Sequence, residues 1–305
     1  MALVVEQLLN GVQLGFVLFL MAAGLTLVFG VMGLINLAHG SLYMIGAFAA
    51  ATVARESGSF ALALVAAAVA AAAVGAVIEI VVMRRLYARD HLEQVLATFA
   101  LILVLSEGTR LLFGSFPLYL NVPPALAGSV ELPGGIVYSR YRLFLIAVGL
   151  AVALGLHLLI RHTRLGVRIR AGSNDREMIA ALGVDISLLY TAVFAIGAAL
   201  AGLAGALLGT LQSVQVGMGE PVLILAFVVV VIGGIGSIRG AFVAAILVGV
   251  TDTMGAFALP GAFEWLFGSR EAAVIGTVLA SMLVYVLMAL VLIVRPSGLY
   301  GVARS

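Results

Sequence analysis

Hydrophobic residues in this chain run in long blocks, separated by short interruptions rich in Gly, Pro and Arg. Apolar segments fall at residues 8–30, 40–54, 60–83, 94–113, 142–160, 187–211, 221–235, 240–257 and 272–294. A bilayer-crossing helix needs roughly 20 such residues, so the pattern predicts a polytopic all-α membrane protein with about eight to ten spanning segments. Segments 40–54 and 221–235 are too short to cross alone and are expected to tilt or to continue a broken helix. Unbroken runs of Ala, Leu, Val and Gly exclude a porin-type barrel, whose strands alternate polar and apolar over about 10 residues. Glu6 stands where a secretory signal would be basic, and the first apolar run is too long for a signal core, so no cleavage is expected.

Two interruptions carry more than turn chemistry. No formal charge occurs between Glu6 and Arg55, yet this run contains Gly33-Leu-Ile-Asn-Leu-Ala-His-Gly40. Asn36 and His39 are thereby carried to membrane depth, where a broken helix exposes backbone groups that protein or water must satisfy. A second interruption, Gly233-Gly-Ile-Gly-Ser-Ile-Arg-Gly240, matches the first at Gly33, Ile35 and Gly40 when the chain is shifted by 200 positions. Paired interrupted segments point to a transport path, with Asn36, His39, Gly33, Gly40, Gly233, Gly236 and Gly240 as its candidate residues. The plainer reading is two tight inter-helix loops at the membrane surface, which Arg239 favours for the second.

Composition changes the picture by exclusion. At 64% hydrophobic and 10% charged residues the chain cannot clothe a water-soluble surface. There is no cysteine, so disulfides and thiolate metal sites are excluded. All 16 basic residues are arginine, and a phosphate-binding loop of the Walker type needs its lysine, so any ATPase is another subunit. A net charge of +2, with arginines at membrane edges, argues against nucleic acid. Those arginines orient the chain. The 161–186 loop with Arg161, Arg164, Arg168, Arg170 and Arg176, the 84–93 loop with Arg84, Arg85 and Arg89, and the tail with Arg295 and Arg304 are expected in the cytoplasm. The Pro- and Gly-rich 114–141 connection then forms an irregular external lid, although Arg140 and Arg142 stand at its end; the side of the N-terminus stays open.

Few charges sit inside the apolar blocks. Glu79 is expected to snorkel toward the cytoplasmic end, near Arg84. Glu107 and Arg110 form an i, i+3 pair. Asp252 is a weak pathway candidate. His91, His157 and His162 lack metal-ligand spacing, and no nucleophile has a base and an orienting group, so neither a metal site nor catalysis is expected. Small residues at Ala201, Gly205 and Gly209 and at Ala198, Gly202 and Ala206 make two ridges for close helix packing, as does the tract 66–73.

The 161–186 loop holds a short surface helix. Ser173 or Asn174 is expected to cap it, Asp175 and Glu177 suit its N-terminal dipole, and Gly183 ends it. Met178, Ile179 and Leu182 gather on one side, suited to a membrane surface or a groove on a partner.

Taken together, Gln7-Leu-Leu-Asn-Gly-Val-Gln-Leu-Gly15, Gly30-Val-Met-Gly-Leu-Ile-Asn-Leu-Ala-His-Gly40, Asp175-Arg-Glu with Ala180-Ala-Leu-Gly183, and the Gly233 to Gly240 segment resemble the LivH-type permease of branched-chain amino acid ABC importers. The resemblance spans nearly the whole chain, departing at Arg239, where the family often has a neutral residue. It implies a type II-like importer permease fold forming a single transmembrane domain over residues 1–305, in a bacterial inner membrane. The implied partners are a LivM-type second permease, two ATPase subunits that bind ATP and Mg, and a periplasmic substrate-binding protein; this chain itself holds no cofactor. The implied contact with the ATPase is made by Asp175, Arg176, Glu177, Ala180, Ala181 and Gly183. Urea and short-chain amide permeases share these motifs. An ion-coupled secondary transporter is the rival class, for which Glu79 and Asp252 are poor mid-membrane acids.

Overall fold

The computed structural model describes residues 2–87, 89–268 and 270–301. In chain order its elements are α1 (Ala2–Met32), α2 (His39–Ser57), α3 (Phe60–Ile78), a π-helical turn (Glu79–Met83), α4 (Arg84–Leu86), α5 (His91–Phe113), a 3-10 turn (Pro124–Leu126), β1 (Ser129–Leu132), β2 (Ile136–Ser139), α6 (Arg140–His162), α7 (Arg164–Asn174), α8 (Arg176–Ala181), α9 (Ile186–Leu208), α10 (Gly219–Gly233), α11 (Ile238–Phe267) and α12 (Arg270–Val294). Among the described residues seven helices are long and apolar enough to cross a membrane. The two segments marked in the sequence as too short become α2, with 19 residues, and α10, with 15. Helix starts follow local chemistry: Ser59, Asp90, Thr163, Asp175, Asp185 and Ser237 each accept a bond from a first-turn amide.

Two compact units emerge, one of residues 20–123 and 151–224, the other of residues 2–19, 124–150 and 225–301. In the first, α9 is the central pillar and its small-residue ridges are buried, as the sequence predicts. A Cβ on Gly197 would meet Gly24 of α1; one on Gly202 would meet Ala67 and Ala71 of α3; one on Gly205 would strike the Tyr43 carbonyl of α2. The backbones approach because no side chain stands between them, which is how membrane helices associate without a hydrophobic driving force. Gly202 faces Ala71 and Ala198 faces Gly75, so α3 runs antiparallel to α9. Because α2 turns straight back into α3 at residues 58–59, α2 runs parallel to α9. Ala50, Ala63, Ala67, Leu120 and Ala206 close the bundle.

The second unit packs the start of α1 antiparallel to α11: Gly11 lies against Gly249 and Val250, and Gly15 against Ala245 and Ile246. Phe242 stands edge-on to Phe16 and Phe19, at centroid distances of 5.9 and 5.2 Å. Here the lid expected over 114–141 contains an ordered antiparallel hairpin, Ser129 opposite Ser139 and Leu132 opposite Ile136. Gly134 and Gly135, both at positive φ, supply its turn. The guanidinium of Arg142 donates to the Asn10 amide oxygen, which gives this arginine a partner at the start of α6. That bond also puts the N-terminal ends of α1 and α6 on the same side.

Candidate functional site

At the first break α1 ends with the Gly33 N–H donating to the Phe29 carbonyl at 2.8 Å, and Gly33 turns the chain at φ +67°. Residues 33–38 are not helical, and α2 begins at His39. Ala38, the residue capping α2, has no side-chain acceptor to offer; the Ala38 N–H itself donates to Asn36 Oδ1 at 3.0 Å, folding the Asn36 side chain over the helix start. Asn36 and His39 are fully buried. Asn36 Nδ2 and both ring nitrogens of His39 nevertheless lack a partner of hydrogen-bonding geometry, as does the Thr26 hydroxyl; the Met21 backbone approaches the imidazole without completing a bond. A buried polar group left unpaired costs about 1–3 kcal/mol, so this concentration of them is a property the fold sustains at a cost.

The depth of this cluster follows from its neighbours. His39 Nε2 lies against Gly24, and Gly24 against Gly197, the middle residue of α9 (Ile186–Leu208). His39 therefore sits level with the middle of α9.

The sequence does not reveal what completes this region. After α9 the chain does not run on outward but turns back beside α2. Gln212 donates to the Tyr43 hydroxyl at 3.4 Å, the Gly217 N–H donates to Met44 Sδ at 3.4 Å, and Gly219 packs backbone to backbone on Gly40. The first turns of α2 and α10 thus meet end to end at mid-depth. The shift by 200 positions aligns Gly40 with Gly240; in the structure Gly40 contacts Gly219, and Gly240 contacts Gly233. The available signal is the shortness of the 221–235 segment behind Gly217, Gly219 and Pro221.

The second break is a tight turn between two helices. Gly233 and Gly240 press together across the four-residue turn 234–237, with Gly234 and Gly236 at positive φ. Ser237 caps α11, and the last carbonyls of α10, on Ile232 and Gly233, accept the Leu299 and Tyr300 N–H groups at 2.8 and 3.0 Å. Ile235 and Gly236 are exposed, as is Arg239. Arg295 belongs to this C-terminal stitch; Arg304 lies outside the described residues.

The 161–186 loop folds into α7 and α8. Ser173 and Asn174, expected as caps, close α7 instead; Asp175 Oδ1 caps α8, accepting from the Glu177 and Met178 amides at 3.0 and 2.9 Å. Gly183, at φ +83°, ends α8 as the sequence predicts: its N–H bonds Ala180 and the Val184 N–H bonds Ile179, the paired bonds of a Schellman motif. The three apolar residues do not share a face. Ile179 is buried, while Met178 and Leu182 are 64% and 78% exposed, one turn apart, with Asp175, Arg176, Glu177 and Ala181 also exposed. Asp185 then caps α9; bonds from the Leu188 amide and the Ser187 hydroxyl, then the Ser187 amide and the Arg84 charge, hold its carboxyl below the usual range. Gly172 of α7 touches Leu189 of α9, so the loop rests on the helix that carries Gly197.

Glu79 corrects the snorkelling expectation. It is fully buried at the head of the π-helical turn, accepting from Arg84 Nε at 3.2 Å, Tyr87 Oη at 2.8 Å and Thr191 Oγ1 at 2.6 Å. Tyr87 also reaches Met32 Sδ at 3.7 Å, at the end of α1, and stacks edge-on with Tyr190 of α9. Glu107 and Arg110 form the expected pair at 2.8 Å, Asp252 is half-buried, and among the described residues no three His, Asp or Glu side chains gather as metal ligands.

Seven apolar spans with a broken, polar helix junction define a polytopic membrane protein. The match to known proteins gives the family: the model described as "Branched-chain amino acid transport system / permease component" covers residues 7–294, and the chain belongs to that family. Over 97% of this chain and 95% of theirs, it is 33% identical to the high-affinity branched-chain amino acid transport system permease protein BraD of Pseudomonas aeruginosa. It is 29% identical, over the same shares, to the correspondingly named LivH of Escherichia coli, and 31% identical to LivH of Salmonella typhimurium. No solved structure matches. The family is one of transport components rather than enzymes, and a permease component works with other parts of its transport system. With bacterial relatives and seven apolar helices, this is a multi-pass protein of the bacterial inner membrane.

Proposed function

We propose that this chain is a permease subunit of an ATP-driven importer of the ABC class and carries branched-chain amino acids. The observation that carries the reading is the fully buried Asn36 and His39, whose unpartnered polar atoms lie halfway across the bundle and serve a solute or water when the path opens. The names of the full-length relatives supply the solute class. The partners under this reading are a LivM-type second permease, two ATPase subunits that bind ATP and Mg, and a periplasmic binding protein, in a type II-like assembly.

Asp175, Arg176, Glu177, Ala180, Ala181 and Gly183 form the contact with an ATPase subunit. The exposed Met178 and Leu182 ridge enters its groove, and Ile179 and Gly172 transmit the displacement to α9. Movement of α9 at Gly197 changes the packing around Gly24, His39 and Gly40, and Gly33 is the hinge of the break. Gly233, Gly236 and Gly240 support the path as a pivot between α10 and α11 rather than as its lining.

Proteoliposomes test this. With all partners present, leucine uptake is expected to require ATP and the loaded binding protein. Uptake of urea or acetamide in place of leucine would reassign the solute, and gradient-driven uptake by this chain alone would make it a secondary carrier.

A further inference from the structure

We propose that Glu220 receives the ammonium group of the transported solute at mid-membrane, beside the meeting point of the α2 and α10 N-termini, so that the permease holds a site for a zwitterion. This rests on the reading that the solute is an amino acid.

Glu220 is the second residue of α10, and its N–H closes the preceding turn onto the Gly217 carbonyl at 3.2 Å. Gly219 before it contacts Gly40, and Gly40 follows His39, which lies level with the centre of α9 through Gly24. Glu220 is nonetheless exposed. The ion pairs found among the described residues, Arg84 with Glu79, Arg89 with Glu93 and Arg110 with Glu107, do not include it. A carboxylate at that depth cannot face hydrocarbon, because an acid at the centre of a spanning segment is expensive and is retained where it borders water, a counter-charge or a path.

The chemistry beside it selects a zwitterion over a simple cation. Two half-helices begin here, and each N-terminus carries the positive end of its dipole. The fully buried Asn36 Nδ2 lies at the same helix start without an acceptor. An α-carboxylate suits this donor and the two positive helix ends while the ammonium meets Glu220, the arrangement by which broken membrane helices hold anionic groups at their N-termini. A bland role for Glu220 is stabilising the α10 dipole, which requires neither exposure nor a neighbour of this kind.

The chain has no cysteine, so Glu220→Cys gives a clean probe in the assembled importer, reconstituted with its second permease, ATPase subunits and binding protein. The introduced thiol is expected to react with a small water-soluble reagent at a rate that changes with nucleotide. Glu220→Gln is expected to lower leucine uptake at saturating loaded binding protein by about tenfold or more, with Glu220→Asp recovering most of it. A thiol at position 220 that reacts in the isolated permease but in no nucleotide state of the importer would place the carboxylate at a subunit contact and overturn the proposal. A reactive thiol there, with wild-type uptake by Glu220→Gln, would reduce Glu220 to a dipole role. If Glu220→Gln fails to assemble, as co-purification shows, labelling of the assembled Glu220→Cys importer and the uptake of Glu220→Asp decide. Urea transport by the wild-type importer would remove the amino-acid reading by itself, whatever the labelling at position 220.

Discussion

The Thr191 hydroxyl on α9 bonds the Glu79 carboxylate at 2.6 Å, across 112 positions of sequence, and this contact holds the π-helical turn against the pillar of the bundle. Three further bonds come from Arg84 and Tyr87. Glu79→Ala leaves Arg84 without its partner and the Tyr87 and Thr191 hydroxyls without this acceptor. Breaking a buried pair in this way costs about 3–5 kcal/mol, discounted because Arg84 is partly exposed. Thermal unfolding of the detergent-solubilised protein should fall clearly for Glu79→Ala and less for Thr191→Val. A Glu79→Ala protein that melts with the wild type would mean the network contributes nothing to stability.

The end-to-end contact of Gly40 and Gly219 leaves no volume for a side chain. Gly219→Val should therefore yield little monodisperse protein on size exclusion. Gly155→Val on α6, where a Cβ meets nothing within 4 Å, should be tolerated. Equal behaviour of the two variants would contradict the close approach of the half-helices.

Local chemistry is what the sequence exposes. Asn36 and His39 stand out because nothing charged surrounds them, and Gly183 because a helix with acidic residues at its start needs an end. The short segments are visible as short, though not the reason: α10 begins at mid-depth because residues 209–218 fold back along α2, a tertiary event with no periodicity of its own. The snorkelling expectation for Glu79 fails for the same reason, since Thr191 is far off in sequence and only the arrival of its hydroxyl and that of Tyr87 makes burial of a carboxylate tolerable.

Orientation can be checked with single cysteines. Ser173 at the end of α7 and Ser129 on the hairpin are both exposed, so each can report the side of the membrane on which it lies. Arginine-rich loops stay in the cytoplasm, so Ser129→Cys should label in intact cells and Ser173→Cys only after permeabilisation. Labelling of the Ser173→Cys protein in intact cells would invert the orientation and remove the 161–186 loop from reach of an ATPase.

The proposed coupling role makes the two ends of α8 the places to test. A β-branched residue at position 183 must adopt φ near +83°, at a cost of about 1–3 kcal/mol, which frays the last turn that presents Leu182. Gly183→Val and Glu177→Lys should both insert normally yet lower the ATPase stimulation produced by loaded binding protein. Unchanged stimulation in both would make α8 an ordinary connector.

The path makes the sharpest demand on the first break. Asn36 and His39 are buried with unmet hydrogen-bonding capacity, so apolar replacement removes an unfavourable contribution from this structure, while on the proposed reading it deprives the open path of its donors and acceptors. His39 serves this role as a neutral imidazole, which both donates and accepts. Asn36→Leu retains less of the local order than His39→Leu, because Asn36 Oδ1 also holds the Ala38 N–H at 3.0 Å. Both variants should co-purify with the partner subunits and show reduced leucine flux, and cysteines introduced at the two positions should react with small water-soluble reagents only in some nucleotide states. Normal uptake by both leucine variants, together with cysteines unreactive in every state, would make the break a structural joint and move the solute path elsewhere, with the Gly233 to Gly240 turn next to be probed.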